Sequence, residues 1–144
     1  MDVFVFDAVV HTLVLTMSNA PRWIAFAAGL LGFTGVALGA LGAHGPLHDK
    51  LVAHGTLDHW RTAVLYQLVH SVALLALAGW SGAGAKTPWI ARCWSAGLIL
   101  FSGSLYWLAL GGPAILGPLT PLGGLALLLG WSLVAWRALQ SPQA

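Results

Sequence analysis

Charge is what this sequence has least of. Six basic and four acidic residues make up 7% of its 144 positions, against about 25% in soluble domains. With 58% hydrophobic residues and a mean hydropathy of +0.83, the chain has too little charge to cover a water-facing surface, so lipid is the expected solvent. A single cysteine, Cys93, excludes an internal disulfide and any paired-thiol redox mechanism within one chain. The net formal charge of +2 is not clustered, which excludes nucleic acid as a partner because its binding needs a basic face. No carboxylate falls in the interior of an expected span, Asp58 lying only at the start of one, so the embedded acid of a proton-coupled exporter is missing. There is no glycine-rich phosphate loop with a lysine and no G-x-S-x-G elbow. Ser102 and Ser104 flank Gly103 without a positioned base or orienting acid, so a serine nucleophile is unsupported. The chain does not read as an enzyme.

What is present is a set of long apolar runs. Residues 23–43, 58–79, 89–110 and 121–139 each approach the roughly 20 apolar residues that a spanning helix needs. They imply one all-α domain over residues 21–140, an integral membrane four-helix bundle. The preceding run MDVFVFDAVVHTLVLT is too short to span and is interrupted by Asp7 and His11. Residues 1–20 are read as an N-terminal extension, with Met17 as the expected usual start; an interfacial helix and a loosely attached arm are the other readings. In the first span Gly32, Gly35 and Gly39 recur at helical spacing, and Gly35 with Gly39 forms a G-x-x-x-G pair that lets backbones approach in lipid. Gly97 and Gly103 offer the same in the third span. Packing within the monomer is the plain use of such faces; contact with a second copy or other membrane subunits is the functional one. Thr56 or Asp58 is the expected N-cap of the second span, and Thr120 with Pro121 the expected start of the fourth.

Arg22, Lys86, Arg92 and Arg137 fall on one side of this arrangement; Lys50 and Arg61 fall on the other, offset by Asp49 and Asp58. The positive-inside rule then puts both termini in the cytoplasm of a bacterium, with the chain a multi-pass protein of the inner membrane. Trp23, Trp60, Trp80, Trp89, Trp107 and Trp136 sit near span ends, where interfacial anchors belong.

Most of the chemistry lies between Gly39 and Leu75, which holds five of the six histidines. His44, His48, His54 and His59 are close enough in sequence to suggest a metal site, since imidazole is the commonest metal-binding side chain. Against this, Gly45 and Pro46 read as a turn, and capping or hydrogen bonding to loop carbonyls is the plainer role. His70 lies deeper in the second span and needs a partner, with Tyr66, Gln67, Ser102 and Tyr106 as candidates on inward stripes that also carry His59 and Ser95. An interhelical hydrogen-bond network is the plain reading. A site for a small molecule, haem, quinone or metal, formed by His44, His59, Tyr66, Gln67, His70, Ser102 and Tyr106 in an outward-facing cavity, is the functional one. A bis-histidine haem would need a second ligand at matching depth, which no other span supplies. A narrow polar path for a minor transporter or channel is a third reading. The sequence requires no cofactor.

The order GALGAHG (39–45), WRTAVLYQLVHSVALL (60–75), LFSGSLYWLAL (100–110), LTPLGG (119–124) and then Gly130 with Trp131 resembles the YgdD/YwdK family of small bacterial inner-membrane proteins, which has mitochondrial relatives. The resemblance covers roughly Arg22 to Trp136 and implies a four-helix membrane domain without an assigned activity. It supplies no catalytic residues. An accessory or assembly partner within a membrane complex is the function that these features together suggest.

Overall fold

The structure, a computed structural model, describes residues 22–80 and 87–140. The expectations for the first sixteen residues and for Lys86 fall outside them. Among the described residues there are five α-helices: α1 (Arg22–Ala43), α2 (Gly45–Ala53), α3 (Leu57–Gly79), α4 (Thr87–Ala109) and α5 (Leu119–Gln140), with a short 3₁₀ turn at Ala114–Leu116 before α5. No strand occurs among the described residues. The four long helices start one or two residues earlier than the apolar runs suggest.

These helices pack in chain order, α1 on α3, α3 on α4 and α4 on α5, with α1 touching α4 lightly. Short connections make each pair antiparallel. The all-α class expected from sequence holds among the described residues; the contacts do not establish the four-helix bundle, because no contact comparable to these joins α1 to α5 there. The arrangement is a row of helices, with a core of Ile24, Leu74, Leu77, Ile90, Trp94 and Leu98 toward one end. A smaller cluster of Leu51, Trp60 and Ala109 lies at the other end, under α2.

Glycine sets how closely the row packs. A Cβ on Gly35 would lie 2.8 Å from Leu68 Cδ2, one on Gly39 would lie 3.2 Å from Val64 Cγ1, and one on Gly42 would strike the Trp60 indole. The G-x-x-x-G face of α1 is therefore covered by α3. Between α4 and α5, a Cβ on Gly97 would lie 2.7 Å from Leu127, while one on Gly123 would run into the Phe101 backbone. Gly103 departs from expectation: it faces outward, and a Cβ there would meet nothing within 4 Å. Its position in α4 turns it away from both neighbouring helices.

Helix ends show why local reading misjudged several residues. Gly45 and Pro46 begin α2 instead of making a turn, because proline fixes a helical φ and lacks only an N–H that the first turn leaves unpaired anyway. Thr56 is the N-cap residue of α3, one of the two expected, but without a side-chain cap bond; its hydroxyl donates to the Ala109 carbonyl at 2.8 Å and ties the loop to the end of α4. Thr120 lies inside the first turn of α5, and its Oγ1 is 2.7 Å from Ser104 Oγ. Gly55 (φ 66°) and Gly111 (φ 88°) close α2 and α4 in the left-handed conformation. There Thr56 N–H returns to Leu51 O, and Gly112 N–H to Trp107 O. Trp60 is not an interfacial anchor: it is buried, and its Nε1–H donates to Leu38 O at 2.9 Å. Trp23, Trp80, Trp89, Trp107 and Trp136 are exposed.

By length and composition, α1, α3 and the stretch Ala114–Gln140 qualify as membrane spans. α4 does not, although it is as long as α3. It is the most enclosed helix, with Thr87, Trp94, Ser102 and Ser104 among its buried residues. Thr87, Ser102 and Ser104, with the exposed Arg92, lower its apolar content.

Candidate functional site

Two polar clusters lie inside the helix row, both built on α3. In the first, Gln67 is buried and uses both ends of its amide. Its Nε2 donates to Leu31 O at 2.9 Å and to Thr34 Oγ1 at 2.8 Å, on α1. Its Oε1 accepts from Tyr106 Oη at 2.9 Å, on α4. Thr34 passes its own proton to Leu30 O at 2.8 Å. One glutamine thus joins three helices. The Tyr106 ring packs edge-on against Trp60, with centroids 4.7 Å apart.

The second cluster joins α3 to α5. Trp131 Nε1–H donates to His70 Nε2 at 3.1 Å, and His70 Nδ1 lies 2.9 Å from Tyr66 O. Since an indole nitrogen only donates, His70 Nε2 must accept, and Nδ1–H donates to the carbonyl. The imidazole is neutral with both nitrogens occupied. No lone pair is left for haem iron or another metal unless Trp131 is displaced.

Beside this pair lies a cavity of about 550 Å³ between α3, α4 and α5, with Tyr66, His70, Phe101, Leu127, Leu128 and Trp131 in its wall. Tyr66 stacks near Phe101, with centroids 4.5 Å apart. Tyr66 Oη makes no hydrogen bond with any described residue.

The seven candidate ligand residues are thus not brought to one site. Gln67 and Tyr106 belong to the first cluster, and Tyr66 and His70 to the second. Ser102 donates to Ala63 O at 2.9 Å, between α3 and α4. His44 and His59 are exposed, away from both. The four histidines weighed for metal are not assembled either. Among the described residues, no group of three His, Cys, Asp or Glu side chains is placed to hold an ion. The cause is the unexpected α2, which places His44 and His54 at its two ends and His48 within it, with His59 at the start of α3. His48 Nδ1 is instead 2.9 Å from Gly42 O. Ser95, expected to share the inward face, is buried at Oγ with no hydrogen-bond partner among the described residues, as is Trp94 at Nε1.

Sequence reasoning missed Thr34 and Trp131 as the partners of Gln67 and His70. Both left a signal. Thr34 is the one hydroxyl in α1, and Trp131 is a tryptophan far from a helix end, whose N–H needs an acceptor in lipid.

The family model described as "Protein of unknown function (DUF423)" matches residues 38–124, which include both clusters apart from Thr34, the Leu30 and Leu31 carbonyls and Trp131. Among similar proteins is the UPF0382 membrane protein YwdK of Bacillus subtilis, 40% identical over 111 residues, covering 73% of this chain and 86% of that protein. A UPF0382 membrane protein of Schizosaccharomyces pombe is 40% identical over 110 residues, covering 73% and 92%. One from Haemophilus influenzae is 37% identical over 113 residues, covering 78% and 90%. None of these names states an enzymatic activity. No solved structure matches the chain. The chain belongs to the DUF423 family of small helical membrane proteins, whose function is unknown.

Proposed function

We propose that this protein is a four-span accessory or assembly partner within a membrane complex of the bacterial inner membrane, and not an enzyme. The observation that carries the reading is the state of its polar side chains. Gln67, His70, Ser102, Ser104 and Tyr106 are spent on bonds between helices. What the protein presents outward is apolar, including Phe26, Phe33, Val72 and Ile99. Such a surface acts by contact inside the bilayer. Because Gly35 and Gly39 are covered by α3, a partner would meet the outer faces of the helices. α4 crosses as the third of the four spans, its polar groups sheltered by α3 and α5. The helix order brings Arg22, Arg92 and Arg137 to one end, which the positive-inside rule assigns to the cytoplasm. Cross-linking in native membranes tests the reading. Recurrent stoichiometric links to one other membrane protein are expected; a chain that links only to itself or to nothing contradicts it.

One observation favours a second reading, a binding module for a lipid-soluble carbonyl compound such as a quinone. Tyr66 lines the cavity beside His70 and its Oη has no hydrogen-bond partner among the described residues, so a bound carbonyl would supply the acceptor it lacks there. Tyr66→Phe should then abolish a co-purifying ligand while leaving the protein folded. An identical extract from the variant would count against this reading.

A further inference from the structure

His70 and Trp131 face each other across a cleft. Helices α3 and α5 are not packed on one another; each packs on α4. Before His70 and Trp131 along the two helices, the cleft is the 550 Å³ cavity that Tyr66, Phe101, Gly124 and Leu128 line. Beyond them it is a second cavity of about 440 Å³, lined by Ala73, Ala76, Leu77 and Val134. Trp131 is in the wall of both. The partition is aromatic, with the Trp131 centroid 4.7 Å from that of Trp94 and 6.0 Å from that of His70. The 3.1 Å bond from Trp131 Nε1–H to His70 Nε2 crosses it from α5 to α3.

That bond exists only while His70 Nε2 offers a lone pair. The other bond of the ring, Nδ1–H to Tyr66 O at 2.9 Å, is made by neutral imidazole and imidazolium alike. A proton on Nε2 therefore leaves the ring anchored on α3 and acts on α5, because imidazolium N–H then faces an indole N–H that has no acceptor to give. Histidine is the side chain whose ordinary charge change lies nearest neutrality. Tyr66 on α3 is the other titratable group in the walls of the cavities that His70 borders; α4 presents Phe101, α5 presents Leu127, Leu128 and Trp131, and no carboxylate, lysine or arginine lines them. Trp94 of α4 meets the ring edge-on, with centroids 6.1 Å apart. We infer that the His70–Trp131 pair is a proton-operated latch: with His70 neutral it ties α5 to α3 and keeps the two cavities apart, and protonation releases that tie and joins them into one cleft. This goes beyond the contact role proposed above, since it makes the shape of the α3–α5 face depend on pH. Release is a local shift and not unfolding. α5 remains held to α4 by the Ser104–Thr120 hydroxyl pair, and Arg137 remains over Trp80 at the end of α3, 4.4 Å from the ring centroid.

The test is the distance between nitroxide labels on Leu75→Cys of α3 and Leu129→Cys of α5, both exposed positions. It is measured by double electron–electron resonance on the full chain carrying Cys93→Ser in lipid nanodiscs, at roughly pH 7.5 and roughly pH 4.5, on either side of the histidine range. With His70 and Trp131 in place, the distance should lengthen in acid by about 2 Å or more, the size of helix shifts in switching proteins. His70→Gln puts an amide oxygen, which does not titrate, in reach of the indole N–H, so it should keep the short distance at both pH values. Trp131→Phe has no N–H to release and should show one distance at both. A distance that does not change with pH in the chain bearing His70 and Trp131 overturns the latch. So does an acid change that persists in His70→Gln or in Trp131→Phe, since it would come from another titrating group; the two variants test this separately, should either fail to fold.

Discussion

His70 and Gln67 carry the internal chemistry of this protein, and each fails in a way that its bonds foretell. Trp131→Phe keeps a ring in place but strips His70 Nε2 of its donor, leaving a buried acceptor unpaired at a cost of about 1–3 kcal/mol. Trp94→Phe removes an N–H that has no partner, so it should cost clearly less. Reversible unfolding of the two variants in mixed micelles checks the order, and equal losses would mean that the His70 bond contributes nothing. Gln67→Leu should destabilise by a similar 1–3 kcal/mol, because Tyr106 Oη and Thr34 lose their shared partner. Adding Tyr106→Phe to it should cost little more, since the bond is already gone; additive losses in the double-mutant cycle would deny the coupling. That His70 needs a buried partner was legible in the sequence, as were two inward stripes, one on the second span with Gln67 beside it and one on the third span carrying Tyr106. That the partner would be Trp131 was not. The two residues are 61 positions apart, and periodicity tells which way a side chain faces but not which helix it meets.

At the scale of the helices, small residues decide which elements touch. Gly123→Ala would drive a methyl group into the backbone of Phe101, so it should cost about 1–3 kcal/mol or more through overpacking of α4 on α5. Gly103→Ala meets nothing and sits within a helix, where alanine is favoured over glycine by about 1 kcal/mol. It should leave stability unchanged or raise it. The same unfolding measurement checks the pair, and a Gly103→Ala loss as large as that of Gly123→Ala would mean that the outer face of α4 is itself packed. The long helices were legible because uncharged runs of this length have few alternatives. α2 was not, because Gly-Pro signals a turn and a helix start equally well, and only the packing of Leu51 against Trp60 and Ala109 selects the helix. The order in which the helices touch was also hidden, since helix patterns carry no information on whether first and last elements meet.

For the molecule as a whole, the antiparallel order puts the start of α1 and the end of α5 at one end, with α2 at the other. Single cysteines introduced at Asp58 and Gln140 in a Cys93→Ser background should separate cleanly. A membrane-impermeant maleimide should label Asp58→Cys in intact cells and Gln140→Cys only after lysis; the reverse pattern would invert the orientation argued from Arg22, Arg92 and Arg137. The broader account is that the polar groups within the bilayer hold the helices to one another and leave the surface to make contacts. Its most direct test is native mass spectrometry of the protein released gently from its own membrane. The account predicts a chain held in fixed stoichiometry with another membrane protein, with both nitrogens of His70 still engaged and no haem or metal mass added. A solitary chain carrying a stoichiometric haem, quinone or metal would contradict it.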